Sequence, residues 1–251
     1  MTMPRTVSRK VVVQLLAGLV GFAAAGCSST ASEAGDAGSV TTKVELLSPE
    51  QNHYGKSYAD WNAAWWQWYY RAPGTTHPVT DPTGKYCGVS QDAASPVFFL
   101  AGTSGGVAKR ACTIPANKAL FFPLLNIASD NGGVPKDEWA TAVELEADLK
   151  DWGKSVRSSF LIVDGVRFDD LHPNYLVPVT RFKYDVPAGD NIYAAQGAQG
   201  VSGTVDPSFS TGVYVMLPPL SPGKHTVRFG GENSQYATTF SLDVTYELTV
   251  E

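Results

Sequence analysis

The chain has 251 residues, 43% hydrophobic and 17% charged, so it can bury a full core and carries too little charge for a coiled coil or a disordered protein. Its 24 glycines and 16 prolines are more than a helix bundle would carry. The net charge of −5 gives no electrostatic basis for contact with nucleic acid, and we predict no nucleic-acid partner.

The N-terminal segment has the pattern of an export signal. Arg5, Arg9 and Lys10 form a basic start, and an uncharged run over residues 11–26 follows. This run is short for a membrane-spanning helix, and its order of basic, apolar and small residues is typical of a secretory signal. We therefore predict a cleavable signal peptide over residues 1–26.

The end of this segment, Ala24-Ala25-Gly26-Cys27, resembles the lipobox of bacterial lipoproteins, with Ala24 in the place of the usual Leu. The resemblance implies that Cys27 carries lipid and anchors the protein to a membrane. The alternative is an ordinary signal peptide with an incidental Cys. Residues 27–42 form a polar tether, and residues 43–251 form one domain in this interpretation. We expect an exported lipoprotein of the bacterial outer membrane or cell surface, with its domain in the periplasm or outside.

The two other cysteines, Cys87 and Cys112, would then be a pair in an oxidising compartment. We predict a disulfide between them, which typically contributes roughly 2–4 kcal/mol. A metal site is the rival interpretation, but two thiols without nearby His are a poor ligand set. A catalytic Cys is the third alternative.

Four of the 6 Trp lie in one predicted helix. Ser57 is its expected cap, with Asp60 three residues later, and the helix should stop before Pro73. Aromatic residues at steps of three and four form one stripe along this helix, and we expect the stripe to cover a sheet. Its members are Tyr58, Trp61, Trp65 and Trp68. A long loop over residues 71–95 follows, and a second helix is predicted with Asp137 as its cap.

Short apolar or alternating segments predict strands in most of the remaining chain, with a first strand over residues 40–47. Asp164-Gly165 marks a two-residue hairpin turn. The clearest strand is the last, where apolar side chains alternate with polar ones from Phe240 to Val250. The sequence therefore predicts a mainly β fold, an antiparallel β-sandwich (Ig-like or jelly-roll-like) with two packed α-helices.

Over most of its mature length the chain resembles a group of uncharacterised exported bacterial proteins. The resemblance lies in several short motifs that occur in the same order. The motifs are Trp65-Trp66-Gln67-Trp68, His77-Pro78 with Asp81-Pro82-Thr83-Gly84, Phe98-Phe99-Leu100-Ala101-Gly102-Thr103, Arg110-Ala111-Cys112-Thr113-Ile114-Pro115 and Phe121-Phe122-Pro123. The resemblance implies no activity. It supports the disulfide, because both cysteines lie within this run of motifs.

No nucleophile motif or zinc signature is present in the sequence, and we predict neither a metal site nor a cofactor. Asp130-Asn131-Gly132-Gly133 has the composition of a calcium loop without its full spacing, so a plain turn is favoured. His225, in step with Val227 and Phe229, is expected to pack at the edge of the core. His77 and Asp81 lie four residues apart in the long loop, where a His beside a carboxylate could act as a general base.

We predict that a ligand-binding site, if one is present, lies beside the aromatic helix. Its candidate residues are Trp66, Tyr69, His77, Asp81 and Arg110. Trp66 points about 100° around the helix from Trp65, which would place it at the edge of the core. The favoured alternative is that all four Trp of the helix simply cover the sandwich. The leading hypothesis is an envelope domain that binds a glycan or an envelope protein. The alternatives are a secreted hydrolase that uses His77 and Asp81, and a purely structural envelope protein.

Overall fold

A computed structural model describes residues 44–235 and 239–251. The predicted signal peptide, Cys27 and the tether lie outside the described residues. The described part forms nine strands: β1 Val97–Phe99, β2 Gly106–Ile114, β3 Ala119–Asp130, β4 Val156–Val163, β5 Val166–Asp169, β6 Leu176–Val186, β7 Gly203–Leu217, β8 Gly223–Asn233 and β9 Phe240–Val250. It also forms four α-helices: α1 Tyr58–Arg71, α2 Ala142–Leu149, α3 His172–Tyr175 and α4 Ile192–Ala195.

The strands form two sheets, one in the order β1-β3-β7-β6 and the other in the order β2-β9-β8-β4-β5. Most neighbouring strands are antiparallel, but β1 pairs with β3 and β2 pairs with β9 in parallel. The β-sandwich prediction is therefore confirmed, and the parallel pairs are a detail that the sequence pattern did not reveal.

Two apolar layers hold the fold together. One lies between the two sheets, where side chains such as Phe122, Leu161 and Phe229 are fully buried. The other lies between the four-stranded sheet and α1, and it contains the aromatic stripe of the helix. Because the four-stranded sheet is covered on both faces, its central strands β3 and β7 carry long buried runs instead of a strict alternation.

The aromatic helix has the start and the end that the sequence predicts. The Ser57 hydroxyl accepts from the backbone N–H of Asp60, and the Asp60 carboxylate accepts from the backbone N–H of Ser57, which is a capping box. The helix ends at Arg71, two residues before Pro73. Its four predicted stripe residues are no more than 3% exposed: Tyr58, Trp61, Trp65 and Trp68.

Two of the sequence-based element assignments are wrong. Asp137 lies in a short 3-10 turn over Lys136–Glu138, and α2 is instead capped by Thr141, whose hydroxyl accepts from the N–H of Glu144. Trp139 is extended between the two, so one continuous helix cannot form. The described part of the predicted first strand, Val44 to Leu47, is not a strand; it is tied to β7 by the hydrogen bond from Leu47 N–H to the Met216 carbonyl.

The disulfide between Cys87 and Cys112 is present, with the two Cα atoms 6.0 Å apart. It fastens the long loop that follows α1 to the edge strand β2. A backbone hydrogen bond from Ala111 to the Thr83 carbonyl adds a second attachment a few residues away. The loop is thus an ordered cover over this edge of the five-stranded sheet. Among the described residues, no helix has the length and apolar character required to cross a membrane.

Candidate functional site

Arg110 points inward from β2 and is only 2% exposed. Its guanidinium donates to the backbone carbonyls of four residues and to one phenol: Val79, Asp81, Ala101, Gly102 and the hydroxyl of Tyr246. The donor–acceptor distances are 2.8–3.0 Å. Each of its nitrogens is therefore occupied in holding the long loop and the segment after β1 against the sandwich. The side chain is a structural cation.

His77 is 1% exposed, and both of its ring nitrogens have backbone partners. Nε2 lies 2.9 Å from the Tyr69 carbonyl, and Nδ1 lies 3.2 Å from the backbone N–H of Val79. This pattern fits the neutral ring that donates from Nε2 and accepts at Nδ1. Burial lowers the pKa of His77 to about 4, with the Tyr69 carbonyl opposing that effect.

Asp81 folds back on its own loop. Its carboxylate accepts from the backbone N–H and the hydroxyl of Thr83, both at 2.8 Å, and from the N–H of Tyr86 at 2.8 Å. Burial alone would raise the pKa of Asp81, but these hydrogen bonds outweigh it and lower the pKa. The structure thus gives His77, Asp81 and Arg110 internal partners. The Asp81 N–H donates to the His77 carbonyl at 3.1 Å, but among the described residues no hydrogen bond joins the His77 ring to the Asp81 carboxylate.

Trp66 lies in the core, so its expected position at the edge is wrong and the favoured alternative, that all four Trp of the helix are core, is the one observed. It is 8% exposed, and its ring stacks against Tyr70 and Phe182 at centroid distances of 5.8 and 6.4 Å. The prediction fails because β6 covers a second face of α1, so that a position 100° from the main stripe is also buried. Tyr69 is half-buried beside His77, with their ring centroids 4.6 Å apart.

The structure brings together a different group, which we call the Asp130 cluster: Asp130, Tyr70, Tyr184 and Tyr193. Asp130 ends β3, and the tyrosines come from α1, β6 and α4. The Asp130 carboxylate accepts from the Tyr70 hydroxyl at 3.1 Å, from the Tyr193 hydroxyl at 3.5 Å and from the backbone N–H of Gly132 at 2.7 Å. Tyr184 joins the cluster through a hydroxyl–hydroxyl hydrogen bond with Tyr193.

The cluster is a polar site with an unbalanced charge. Among the described residues, Asp130 forms no salt bridge. Burial raises the pKa of Asp130, although the Gly132 N–H and the tyrosine hydroxyls oppose it. Burial also raises the pKa of Tyr70, Tyr184 and Tyr193, and the nearby Asp130 charge adds to it, so all three remain hydroxyl donors at neutral pH.

The local packing and backbone conformation after Asp130 explain why positions 132 and 133 are both glycine. A Cβ at Gly132 would lie 2.1 Å from the Tyr193 hydroxyl and 2.6 Å from the Tyr184 hydroxyl. Gly133 has a φ of +73°, which favours glycine. The segment is a turn, as the sequence favoured, and it also lets the tyrosines approach the carboxylate. The only sequence signal for the cluster was this Asp-Asn-Gly-Gly motif.

A second constellation involves His225, which is half-buried as expected. Nδ1 lies 2.6 Å from the Asp164 carboxylate, and Nε2 lies 3.4 Å from the Ser221 hydroxyl but 2.9 Å from the Ser221 carbonyl. Burial alone would lower the pKa of His225, but the Asp164 and Ser221 hydrogen bonds and the Asp164 charge raise it. A carbonyl as the nearest partner of Nε2 requires an N–H there, so the ring is not placed to accept a proton from Ser221. This group stabilises a turn.

The Asp130 cluster is therefore the candidate site. Asp130 and Tyr193 are half-buried and Tyr70 and Tyr184 are buried, and the cluster combines a carboxyl with three hydroxyl groups from separate elements. The described part of the chain holds no group of three or more His, Cys, Asp or Glu side chains suited to a metal ion. Comparison of the chain with protein-family models, with curated proteins and with solved structures found no match.

Proposed function

We propose that the protein is an exported lipoprotein of the bacterial envelope whose β-sandwich binds a glycan or an envelope protein at the Asp130 cluster. The observation that carries the binding site is the Asp130 carboxyl, which is half-buried, lacks a salt bridge in the described residues and is surrounded by hydroxyl donors. A carboxyl that has no cation partner is costly to bury for stability alone, and such a group suits a ligand.

The N-terminal sequence supports export and anchoring. The proposal rests on the basic start, the apolar run and the Ala24-Ala25-Gly26-Cys27 junction. The Cys87–Cys112 disulfide agrees with an oxidising compartment. Removal of residues 1–26 would take away three positive charges and change the net charge from −5 to −8. The anchor would then depend on lipid, because an acidic domain gains nothing from anionic headgroups.

Fractionation of cells that express Cys27→Ala tests the anchor. We expect the variant in the soluble fraction and the matched Ser28→Ala variant with the membranes, because only the thiol can receive the lipid. Membrane retention of Cys27→Ala would show that the chain is held by something other than a lipid on this residue.

The binding proposal is tested with immobilised glycans and with detergent-solubilised envelope proteins. Asp130→Asn keeps the shape of the side chain but changes its charge and its hydrogen bonds. We expect it to weaken binding roughly tenfold, since a charged hydrogen bond contributes about 1.5–3 kcal/mol. Asp137→Asn, at an exposed position, is the control. If neither class of ligand binds, or if Asp130→Asn binds as the unchanged protein does, the cluster is not a binding site and a purely structural role is favoured.

The hydrolase alternative keeps one supporting observation. A general acid needs a raised pKa. Burial raises the pKa of Asp130, whereas the pKa of His77 and that of Asp81 are both lowered. An enzyme in this fold would therefore use Asp130. Hydrolysis of a bound glycan that Asp130→Asn abolishes and Asp81→Asn does not would favour this alternative over simple binding.

A further inference from the structure

A line of polar side chains continues from the Asp130 cluster into the packed layer between α1 and the four-stranded sheet. We call it the polar seam, and its members are Asn62, Trp66, Asn126, Ser208, Ser210 and Tyr214. They come from the inner face of α1 and from the facing side of β3 and β7. Asn62, Ser208 and Ser210 are completely buried. Such a line is unusual in a layer that is otherwise aromatic and aliphatic.

The helix and the strand have matching repeats along the seam. Asn62, Trp66 and Tyr70 are four residues apart, about 6 Å along the helix axis, and same-face residues of a strand are separated by about 6.7 Å. Asn62 donates to the Ser210 hydroxyl at 2.9 Å, and Tyr70 donates to Asp130 at 3.1 Å. The two contacts join α1 to β7 and to the end of β3, and Trp66 lies between them along the helix.

The seam is continuous with the Asp130 cluster. Ser208 is the register partner of Asp130, and Ser210 is the partner of Ala128. Directly opposite residues on one face have Cβ atoms about 5 Å apart, so the Ser208 hydroxyl lies next to the cluster. Further along, Asn126 donates to the Tyr214 hydroxyl at 3.0 Å, and Trp66 lies next to the same hydroxyl.

Three polar atoms of the seam are buried and have no hydrogen-bond partner among the described residues. They are the side-chain oxygen of Asn62, the indole nitrogen of Trp66 and the hydroxyl oxygen of Ser208. A buried polar atom without a hydrogen bond costs about 1–3 kcal/mol. Alanine at position 208 and an apolar residue at position 62 would avoid that cost, so the two groups indicate a role beyond packing.

The seam has an approach from the surface at the free edge of β3. β1 pairs with β3 only as far as Phe121, and beyond this point Asn126, Ala128 and Asp130 are half-buried. Tyr193 and Gln196 are half-buried on the far side of the cluster. Asp130 and Tyr193 are thus the members of the cluster that solvent reaches, and the seam lies deeper.

We propose that the Asp130 cluster and the polar seam together bind one small, neutral, polyhydroxylated molecule, such as a monosaccharide or the terminal sugar of a glycan. The proposal rests on the binding function proposed above and specifies its ligand class. A hydroxyl group can donate to the Asn62 oxygen and can either donate to or accept from Ser208. No Lys or Arg belongs to the seam to neutralise an anion. The Asp130 oxygens already accept from three groups, so about one acceptor position is left for a hydroxyl group of the ligand.

Thermal unfolding of the full chain with D-glucose, D-galactose or N-acetylglucosamine tests this proposal. A sugar that binds the folded state should raise the melting temperature in proportion to the logarithm of its concentration. Oligosaccharides that end in the same sugar distinguish a free sugar from a glycan terminus, because only a terminus site binds both. We expect at least one of the three sugars to stabilise the protein.

Ser208→Ala locates the ligand. This variant loses no hydrogen bond within the described chain, so it should fold with an unchanged or higher melting temperature when no sugar is present. We expect it to bind the stabilising sugar roughly tenfold more weakly. Ser241→Ala, on the exposed side of β9, is the matched control and should bind normally.

The outcomes separate this inference from the proposed function. If the sugar stabilised Ser208→Ala and Ser241→Ala equally, it would bind elsewhere, and the proposal that the seam binds it would be wrong. Failure of all three sugars would overturn the ligand class. If an envelope protein still bound in a manner sensitive to Asp130→Asn, the proposed function would stand without the inference. If that binding also failed, both would be wrong.

Discussion

Arg110 connects three separate parts of the chain through one buried guanidinium. It joins the carbonyls of the long loop at Val79 and Asp81 to those after β1 at Ala101 and Gly102. From the sequence, Arg110 was a candidate ligand-binding residue. In the structure Arg110 has a structural role. An irregular loop leaves many carbonyls without partners, and the five donors of Arg can satisfy them.

We predict that Arg110→Met lowers the free energy of unfolding by about 3 kcal/mol or more, because it leaves several buried acceptors unpaired. Lys109→Met is the matched control at the next position of β2. The Lys109–Glu247 ion pair is exposed at both partners, so its loss should cost less than about 1 kcal/mol. Urea unfolding of both variants measures the difference, and similar costs would contradict the structural role of Arg110.

Individual residues also show where inference from the sequence ends. Asp130 and Tyr70 are separated by 60 positions, and Asp130 and Tyr193 by 63. No local pattern connects them, because their contact depends on where α1 lies on the sheet and on how β6 and α4 pass the end of β3. By contrast, the Asp164-Gly165 turn and the Ser57 cap depend on neighbours within three positions, and both were predicted from the sequence.

At the scale of elements, hydrophobic periodicity predicted strands and helices correctly wherever one face of the element is exposed to solvent. β9 has the predicted bounds because its apolar side chains face the other sheet and its polar ones face solvent. α1 shows the limit of the method. Its main stripe was correct, but Trp66 and Tyr70 are also buried, since the helix contacts β6 as well as the central strands.

The burial of both faces of α1 leads to a prediction for two adjacent tryptophans. Trp65 is 2% exposed and Trp66 is 8% exposed, so we expect Trp65→Ala and Trp66→Ala each to cost about 3–5 kcal/mol. Gln67→Ala, on the exposed side of the same helix, should cost no more than about 1 kcal/mol. Urea unfolding of the three variants provides the comparison.

The milder replacements Trp65→Phe and Trp66→Phe keep the experiment informative if the alanine variants do not fold. Each of them should lower the free energy of unfolding clearly more than Gln67→Ala does. A Trp66 variant as stable as Gln67→Ala would mean that this ring contributes little to the core. An edge position for Trp66 would then be the better description.

For the whole molecule, composition and alternation predicted the β-sandwich but not its layers. The sequence contained few helices, short strands and frequent turns, which exclude a parallel α/β sheet. It did not predict which distant strands pair. For example, β2 and β9 pair in parallel although most of the domain separates them in the sequence. Such pairings are selected by tertiary packing, and they decide which side chains meet at the candidate site.

The stability of the whole domain should depend on two histidines with opposite behaviour. Burial lowers the pKa of His77 to about 4, from an ordinary value of 6.5. For His225, the Asp164 and Ser221 contacts outweigh burial and raise the pKa above that value. His225 therefore stabilises the fold fully below about pH 6.5, and this contribution is lost as the pH rises through its folded pKa. Its partner Asp164 is substantially exposed, so the effect should be under about 1 kcal/mol.

His77 acts in the acidic range. Between about pH 6.5 and pH 4 the unfolded chain binds a proton at this residue and the folded chain does not, so acidification should lower the free energy of unfolding by roughly 3 kcal/mol. His77→Gln can still donate to the Tyr69 carbonyl but cannot titrate. We expect its free energy of unfolding, measured in urea from pH 7 to pH 4.5, to fall less steeply than that of the unchanged protein. Asp130 titrates in both proteins and cancels in the comparison. Parallel curves for the two proteins would show that the acid sensitivity arises elsewhere and that the His77 ring is not held neutral by the fold.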